Sequence, residues 1–156
     1  MNATDRIEKS VMLRAPLARV WRALTDAKEF GSWFGVEFNG PFSPGVPLQG
    51  KITSPPSPPE YAGFTFDVAV DRIEPMRLFS FRWHPYAVER GRDYSKEPTT
   101  LVVFELEEVP EGTRLKVVES GFDRIPPERR ATAFRMNDQG WAAQMKAIEK
   151  YLGAKR

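Results

Sequence analysis

The sequence predicts an α+β fold: a curved antiparallel sheet of about six strands around a long C-terminal helix, with two short helices after the first strand. Three observations carry this. Apolar residues alternate with a period of two in several separate stretches, and turn residues join successive stretches at hairpin distance. The period becomes helical just after the first stretch and again over the last part of the chain. No strand-helix-strand alternation recurs, so a parallel βαβ sheet is not indicated.

Arg6 to Leu13 places Ile7, Val11 and Leu13 on one side and Glu8 and Ser10 on the other, as a strand with one covered face does. Pro16 then suits a first helical position, and Leu17, Val20, Trp21 and Leu24 recur at helical spacing. Thr25-Asp26 supplies a cap for a second short helix, Ala27 to about Phe34, which presents Phe30, Trp33 and Phe34 and ends at Gly35.

Pro41 to Pro59 holds half of the chain's 14 prolines. Proline cannot donate to a ladder, so only Pro47 to Thr53 is expected as a strand there, and at an edge. Phe64 to Val70 and Leu78 to His84 alternate around the turn Glu74-Pro75-Met76-Arg77 and form a hairpin. Tyr86 to Pro98 is polar and reads as an exposed loop. Thr99 to Glu107 and Thr113 to Ser120 form a second hairpin across Pro110 and Gly112.

From Pro126 to Leu152 a helix is expected, starting on Pro-Pro-Glu and ending at Gly153. Its stripe runs through Phe134, Asn137 or Asp138, Trp141, Gln144 or Met145, Ile148 and Leu152. At 1.5 Å per residue it is about 40 Å long and must lie along most of the sheet.

Composition narrows the chemistry. The 156 residues suit one domain, residues 1–156, and carry a net charge of only +2, with basic residues scattered among acidic ones. Nucleic acid, which selects a clustered basic face, is not expected as a partner. There is no cysteine, which excludes disulfides, thiolate nucleophiles and Cys-based metal sites and fits a cytoplasmic setting. No apolar run approaches the roughly 20 residues of a membrane span, so no membrane insertion is expected. His84 is the sole histidine, which excludes sites needing two; it is expected to face solvent, opposite Phe81 and Trp83. No Gly-x-Ser-x-Gly, Gly-x-Gly-x-x-Gly or P-loop is present, so no catalytic residue, metal ligand or cofactor is assigned.

Three segments carry a resemblance: MLRAPLARVWRALTDAKEFGSWF, LKVVESGFD and NDQGWAAQMKAIEKYL. In this order they resemble the START-like (SRPBCC) helix-grip superfamily, and within it the small bacterial relatives of the C-terminal domain of the activator of Hsp90 ATPase. The pattern falls on Ala15-Pro16, Val20-Trp21, Trp33-Phe34, Glu119 to Phe122 and Asn137 to Trp141. The resemblance implies a sheet wrapped round the last helix, with a cavity between them for a lipid, aromatic or polyketide-like molecule. It also admits an Hsp90-type chaperone as partner, or a cyclase or hydrolase-like enzyme. The proline-rich segment and the loop after Trp83 are less typical of it, and both are placed to cover the cavity mouth.

The inward face should hold Phe66, Val68, Phe81, Trp83, Phe104, Leu115 and Val117 from the sheet, and Phe134, Trp141 and Met145 from the helix. With Trp33 and Phe34 these form either an apolar ligand pocket or a filled core. Glu119 follows Leu115 and Val117 on the same face, where an unpaired carboxylate needs a partner. Asn137 and Gln144 are the expected partners, either orienting a ligand's polar end or locking the fold. Arg124, Arg129, Arg130 and Arg135 read as a solvated basic helix face paired with Asp123 and Glu128, or as a surface for an acidic partner.

Overall fold

The computed structural model describes residues 6–54, 56–86 and 93–154. Seven antiparallel strands form one curved sheet in the order β1-β7-β6-β5-β4-β3-β2. Strand β1 spans Arg6–Leu13, and two short helices follow it directly, α1 at Leu17–Thr25 and α2 at Ala27–Phe34. Pro16 caps α1 from outside, in an extended conformation, instead of forming its first turn.

The Asp26 carboxylate accepts from the backbone N–H of Lys28 and Glu29 at 2.9 and 3.1 Å, a cap that stabilises α2 by about 1 kcal/mol. Gly35 ends the helix at φ 82°, a left-handed position that glycine enters without steric penalty. The apolar residues Phe30, Trp33 and Phe34 follow at helical spacing and all are buried.

Strand β2 is Val36–Phe38, and it adds a strand to the expected six. Three residues are too few to show alternation, so the pattern was silent there. Its presence corrects the reading of β3, Pro47–Ile52, which pairs with both β2 and β4 instead of forming the sheet edge. Pro47 sits at the first strand position, where it breaks little of the ladder.

Strands β4 (Thr65–Glu74) and β5 (Leu78–Trp83) form the first hairpin, β6 (Thr100–Val109) and β7 (Gly112–Ser120) the second. A bulge between Val70 and Arg72 interrupts β4. There the Ser80 hydroxyl accepts from the Arg72 backbone N–H and donates to Asp71, which explains a buried serine on the outward side.

Helix α3 runs from Pro127 to Ala154 and carries Gly153 within it, one residue past the expected end. It packs on β1 and α2. Because β1 lies at one edge and β2 at the other, α1 and α2 carry the chain across the same face that α3 covers. Burial follows that face: Leu115, Val117, Phe81, Phe104, Trp141, Met145, Ile148 and Leu152 are all interior.

The basic start of α3 departs from expectation at Arg129, which is half-buried and held by the loop instead of by solvent. Its guanidinium donates to Glu97 and to the Pro85 carbonyl, both at 2.8 Å, and lies 4.8 Å from the centre of the Tyr94 ring. The described part of the loop after β5 is thereby tied down; residues 87–92 of that loop, like Pro55 of the proline-rich segment, lie outside the described set. Among the described residues no helix is long and apolar enough to cross a membrane, and no three metal-binding side chains converge.

Candidate functional site

Alternation along β7 turns Leu115, Val117 and Glu119 inward together, and Glu119 is fully buried. Its two oxygens collect donors from three elements. Oε1 accepts from the indole N–H of Trp141 at 2.8 Å and from Asn137 Nδ2 at 2.9 Å. Oε2 accepts from the indole N–H of Trp83 at 2.7 Å, from the Thr100 hydroxyl at 2.5 Å and from Asn137 Nδ2 at 3.1 Å.

Every one of these donors is uncharged. Burial therefore pushes the Glu119 carboxyl above its ordinary value, and the bonds from Thr100, Trp83, Trp141 and Asn137 offset only part of that rise. Nitrogen donors of tryptophan and asparagine cannot accept a proton's hydrogen bond, whereas a hydroxyl can turn and accept. When Glu119 is protonated, the hydrogen belongs on Oε2, pointing at Thr100.

Gln144 does not join this cluster. It stands seven residues beyond Asn137, roughly 10 Å along the helix, and its Nε2 donates instead to the Phe34 carbonyl at 3.0 Å. That carbonyl lies at the C-terminus of α2, where helix carbonyls lack intrahelical partners. The bond fixes the amide's orientation, and Gln144 Oε1 is left buried with no hydrogen-bond partner.

A cavity of about 180 Å³ opens beside these groups, between the end of the sheet and the middle of α3. Of the residues expected at a site, Phe34, Phe66, Trp83, Asn137, Trp141 and Gln144 line it. Its walls are aromatic: Phe34 and Trp83 lie 6.1 Å apart between ring centres, Trp83 and Trp141 5.9 Å, Phe66 and Trp83 5.8 Å. Trp33, Val68, Phe81, Phe104, Val117, Glu119 and Met145 sit behind these walls in the packed interior. The filled core and the cavity thus coexist, the cavity occupying one end.

Other lining residues escaped the sequence. His84 faces the cavity beside Trp83 and not solvent on the opposite side, because the strand ends at Trp83 and alternation does not extend past it. His84 Nε2 lies 3.0 Å from the Glu97 carbonyl, so that nitrogen carries the hydrogen. Pro56, Ser57 and Pro58 of the proline-rich segment line the mouth, where the Tyr61 and Tyr86 hydroxyls meet at 2.8 Å. That hydrogen bond, with burial, pushes the Tyr61 phenol up to about 12. A broader groove, about 1100 Å³, runs past Lys28, Glu37 and Asn39 on the other side of β2; its lining is more polar.

The family described as activator of Hsp90 ATPase homolog 1-like protein matches the chain over residues 14–153. The chain belongs to this family. As a member of the activator of Hsp90 ATPase homolog 1-like family it shares its fold with solved structures from several bacteria. A Mesorhizobium loti protein aligns over 97% of this chain and 98% of its own at 21% identity and a TM-score of 0.74. A Nitrosomonas europaea protein aligns over 99% and 98% at 20% identity, also at 0.74. A protein from the dynemicin biosynthetic locus is 25% identical over 97% of this chain and 48% of its own, with a TM-score of 0.70. No curated protein matches the chain. The helix-grip architecture of the family is what brings β5, β7 and α3 together around Glu119 and leaves space at their end.

Proposed function

We propose that residues 1–156 act as one binding module that takes a hydrophobic small molecule, aromatic, lipid-like or polyketide-like, into the cavity between sheet and α3. The observation that carries this reading is the cavity of about 180 Å³ walled by the rings of Phe34, Phe66, Trp83 and Trp141. Apolar walls with a few fixed polar groups suit small-molecule sites. The two indole N–H groups are spent on Glu119, so both tryptophans can offer their ring surfaces to a ligand. A relative encoded at a biosynthetic locus supports the same reading. Work in a reducing cytoplasm is consistent with the absence of cysteine.

An NMR titration against a lipid and aromatic library tests the proposal. The indole N–H signals of Trp83 and Trp141 and the side-chain amide of Gln144 should shift together with a saturable dependence, while Trp33, whose indole bonds the Ala23 carbonyl, stays unchanged. No response at the cavity residues up to the solubility limit of every compound rules the reading out.

The family match supports a second reading, contact with an Hsp90-type chaperone. A rise in the ATPase rate of a bacterial Hsp90 on adding the protein would support it, and an unchanged rate at saturating protein removes it. Use of Glu119 as an acid or base finds less support, since both its oxygens are occupied and neither lines the cavity.

A further inference from the structure

One carboxyl group ties together both walls of the cavity. Trp83 comes from β5 on the sheet side, Trp141 and Asn137 from α3 on the helix side, and Glu119 of β7 bonds all three. The indole N–H of Trp141 goes to Oε1 and that of Trp83 to Oε2, so each oxygen holds one ring. Both rings line the cavity; Trp83 is half-buried and Trp141 only 2% exposed, so Trp83 presents the larger surface to a ligand. Glu119 itself is fully buried, and neither it nor Thr100 lines the cavity.

The backbone alone does not fix the Trp83 ring. Strand β5 ends at this residue, and the ring meets Phe34, Phe66 and Phe81 at 55°, 76° and 69°, contacts that a modest turn about the side-chain bonds shifts. The 2.7 Å bond to a buried carboxyl oxygen selects one orientation, because a hydrogen bond weakens steeply as its donor turns away. Orientation matters to an aromatic ligand: edge-to-face and offset ring contacts add stabilisation beyond burial. A flexible alkyl chain gains from burial alone and loses rotamer freedom on binding.

Resting on the cavity-binding reading above, we propose that Glu119 is the positioning residue of this cavity: it holds the Trp83 and Trp141 rings in one orientation before a ligand arrives, and walls so fixed favour a planar aromatic ligand over a flexible alkyl chain. Side chains already ordered in the free protein need no ordering on binding. In Glu119→Gln an NH2 group replaces one of the two acceptor oxygens. Whichever way that amide turns, one of the two indole N–H groups then faces a donor and its ring is released.

Dissociation constants for β-naphthol and octanol, which each carry one hydroxyl and are similarly hydrophobic, test this by NMR titration on the full chain. The natural chain should bind β-naphthol roughly fivefold more tightly than octanol, and in folded Glu119→Gln that preference should largely disappear. Tyr151→Phe, which loosens the far end of α3 away from the cavity, should keep the natural preference, separating ring positioning from a general loss of stability. A preference unchanged in Glu119→Gln, or octanol binding the natural chain as tightly as β-naphthol, overturns the inference and leaves the cavity reading intact. If neither probe binds, the inference falls, and the cavity reading falls with it only when the whole library is silent. Should Glu119→Gln not fold, nitrogen relaxation of the natural chain decides: without ligand, the indole N–H groups of Trp83 and Trp141 should be as ordered as the backbone amides of β7, and mobile indoles overturn the inference.

Discussion

A buried carboxylate facing only neutral donors sets the behaviour of this protein at the level of single residues. The Glu119 pKa is raised in the folded chain, so the folded state holds its proton more tightly than the unfolded chain does. The stability it contributes is complete below its ordinary value of 4.5 and is lost as pH rises through the folded-state value. Glu119→Gln removes that titration and puts an NH2 group where donors already converge, so it should destabilise the fold by about 1–3 kcal/mol at acidic pH. The gap between the two proteins in chemical denaturation should narrow as pH rises; a gap that widens refutes the account. The inward direction of Glu119 and its need for a partner were legible from β7, and Asn137 was foreseen among its partners. Trp83, Thr100 and Trp141 were not, because nothing local indicates which indoles a fold will turn toward a carboxylate.

Individual elements carry two further tests. Gly31 lies inside α2, where a helix ordinarily gains up to about 1 kcal/mol from alanine. A Cβ there would stand 2.2 Å from the Val36 carbonyl oxygen, which the turn at Gly35 brings back against the helix. Gly31→Ala should therefore destabilise by about 1–3 kcal/mol in urea denaturation, the overpacking effect outweighing propensity. At the far end of α3, the Tyr151 hydroxyl donates to Glu29 at 2.8 Å, and Glu29 also receives Arg19 and Arg22 at 2.7 Å each. Burial works against the Glu29 carboxylate, but Tyr151 and the arginines prevail and hold it below the usual range. Its contribution is present above pH 4.5 and is lost on acidification, opposite in sign to Glu119. Tyr151→Phe should cost about 1 kcal/mol and speed amide exchange in the last turns of α3. Exchange there at the natural rate would show that packing of Ile148 and Leu152 alone docks the helix end.

Across the whole molecule, the connection from β1 to β2 decides where space is left. It spans the sheet through α1 and α2, and α3 then fills the same face except at one end. The proline-rich segment and the chain after β5 close over that end, joined by Tyr61 and Tyr86. On the binding proposal this pair slows ligand release. Tyr61→Phe should then raise the dissociation rate of whichever library compound binds roughly fivefold in NMR line-shape measurements, corresponding to one hydrogen bond of about 1 kcal/mol. An unchanged rate would mean that release does not pass between the two tyrosines.

Apart from the three-residue β2, the order of elements, the inward faces of the strands, the cap and end of α2 and the run of α3 were determined by the sequence alone, because each depends on backbone geometry within a few residues. What tertiary structure decided lies beyond that range. Gln144 finds the Phe34 carbonyl 110 residues away, Trp83 finds Glu119 across 36, and His84 turns toward the cavity only because its strand stops one residue earlier. Periodicity gives the face on which a side chain stands; only the packing of the sheet against α3 settles which groups meet there and where room remains.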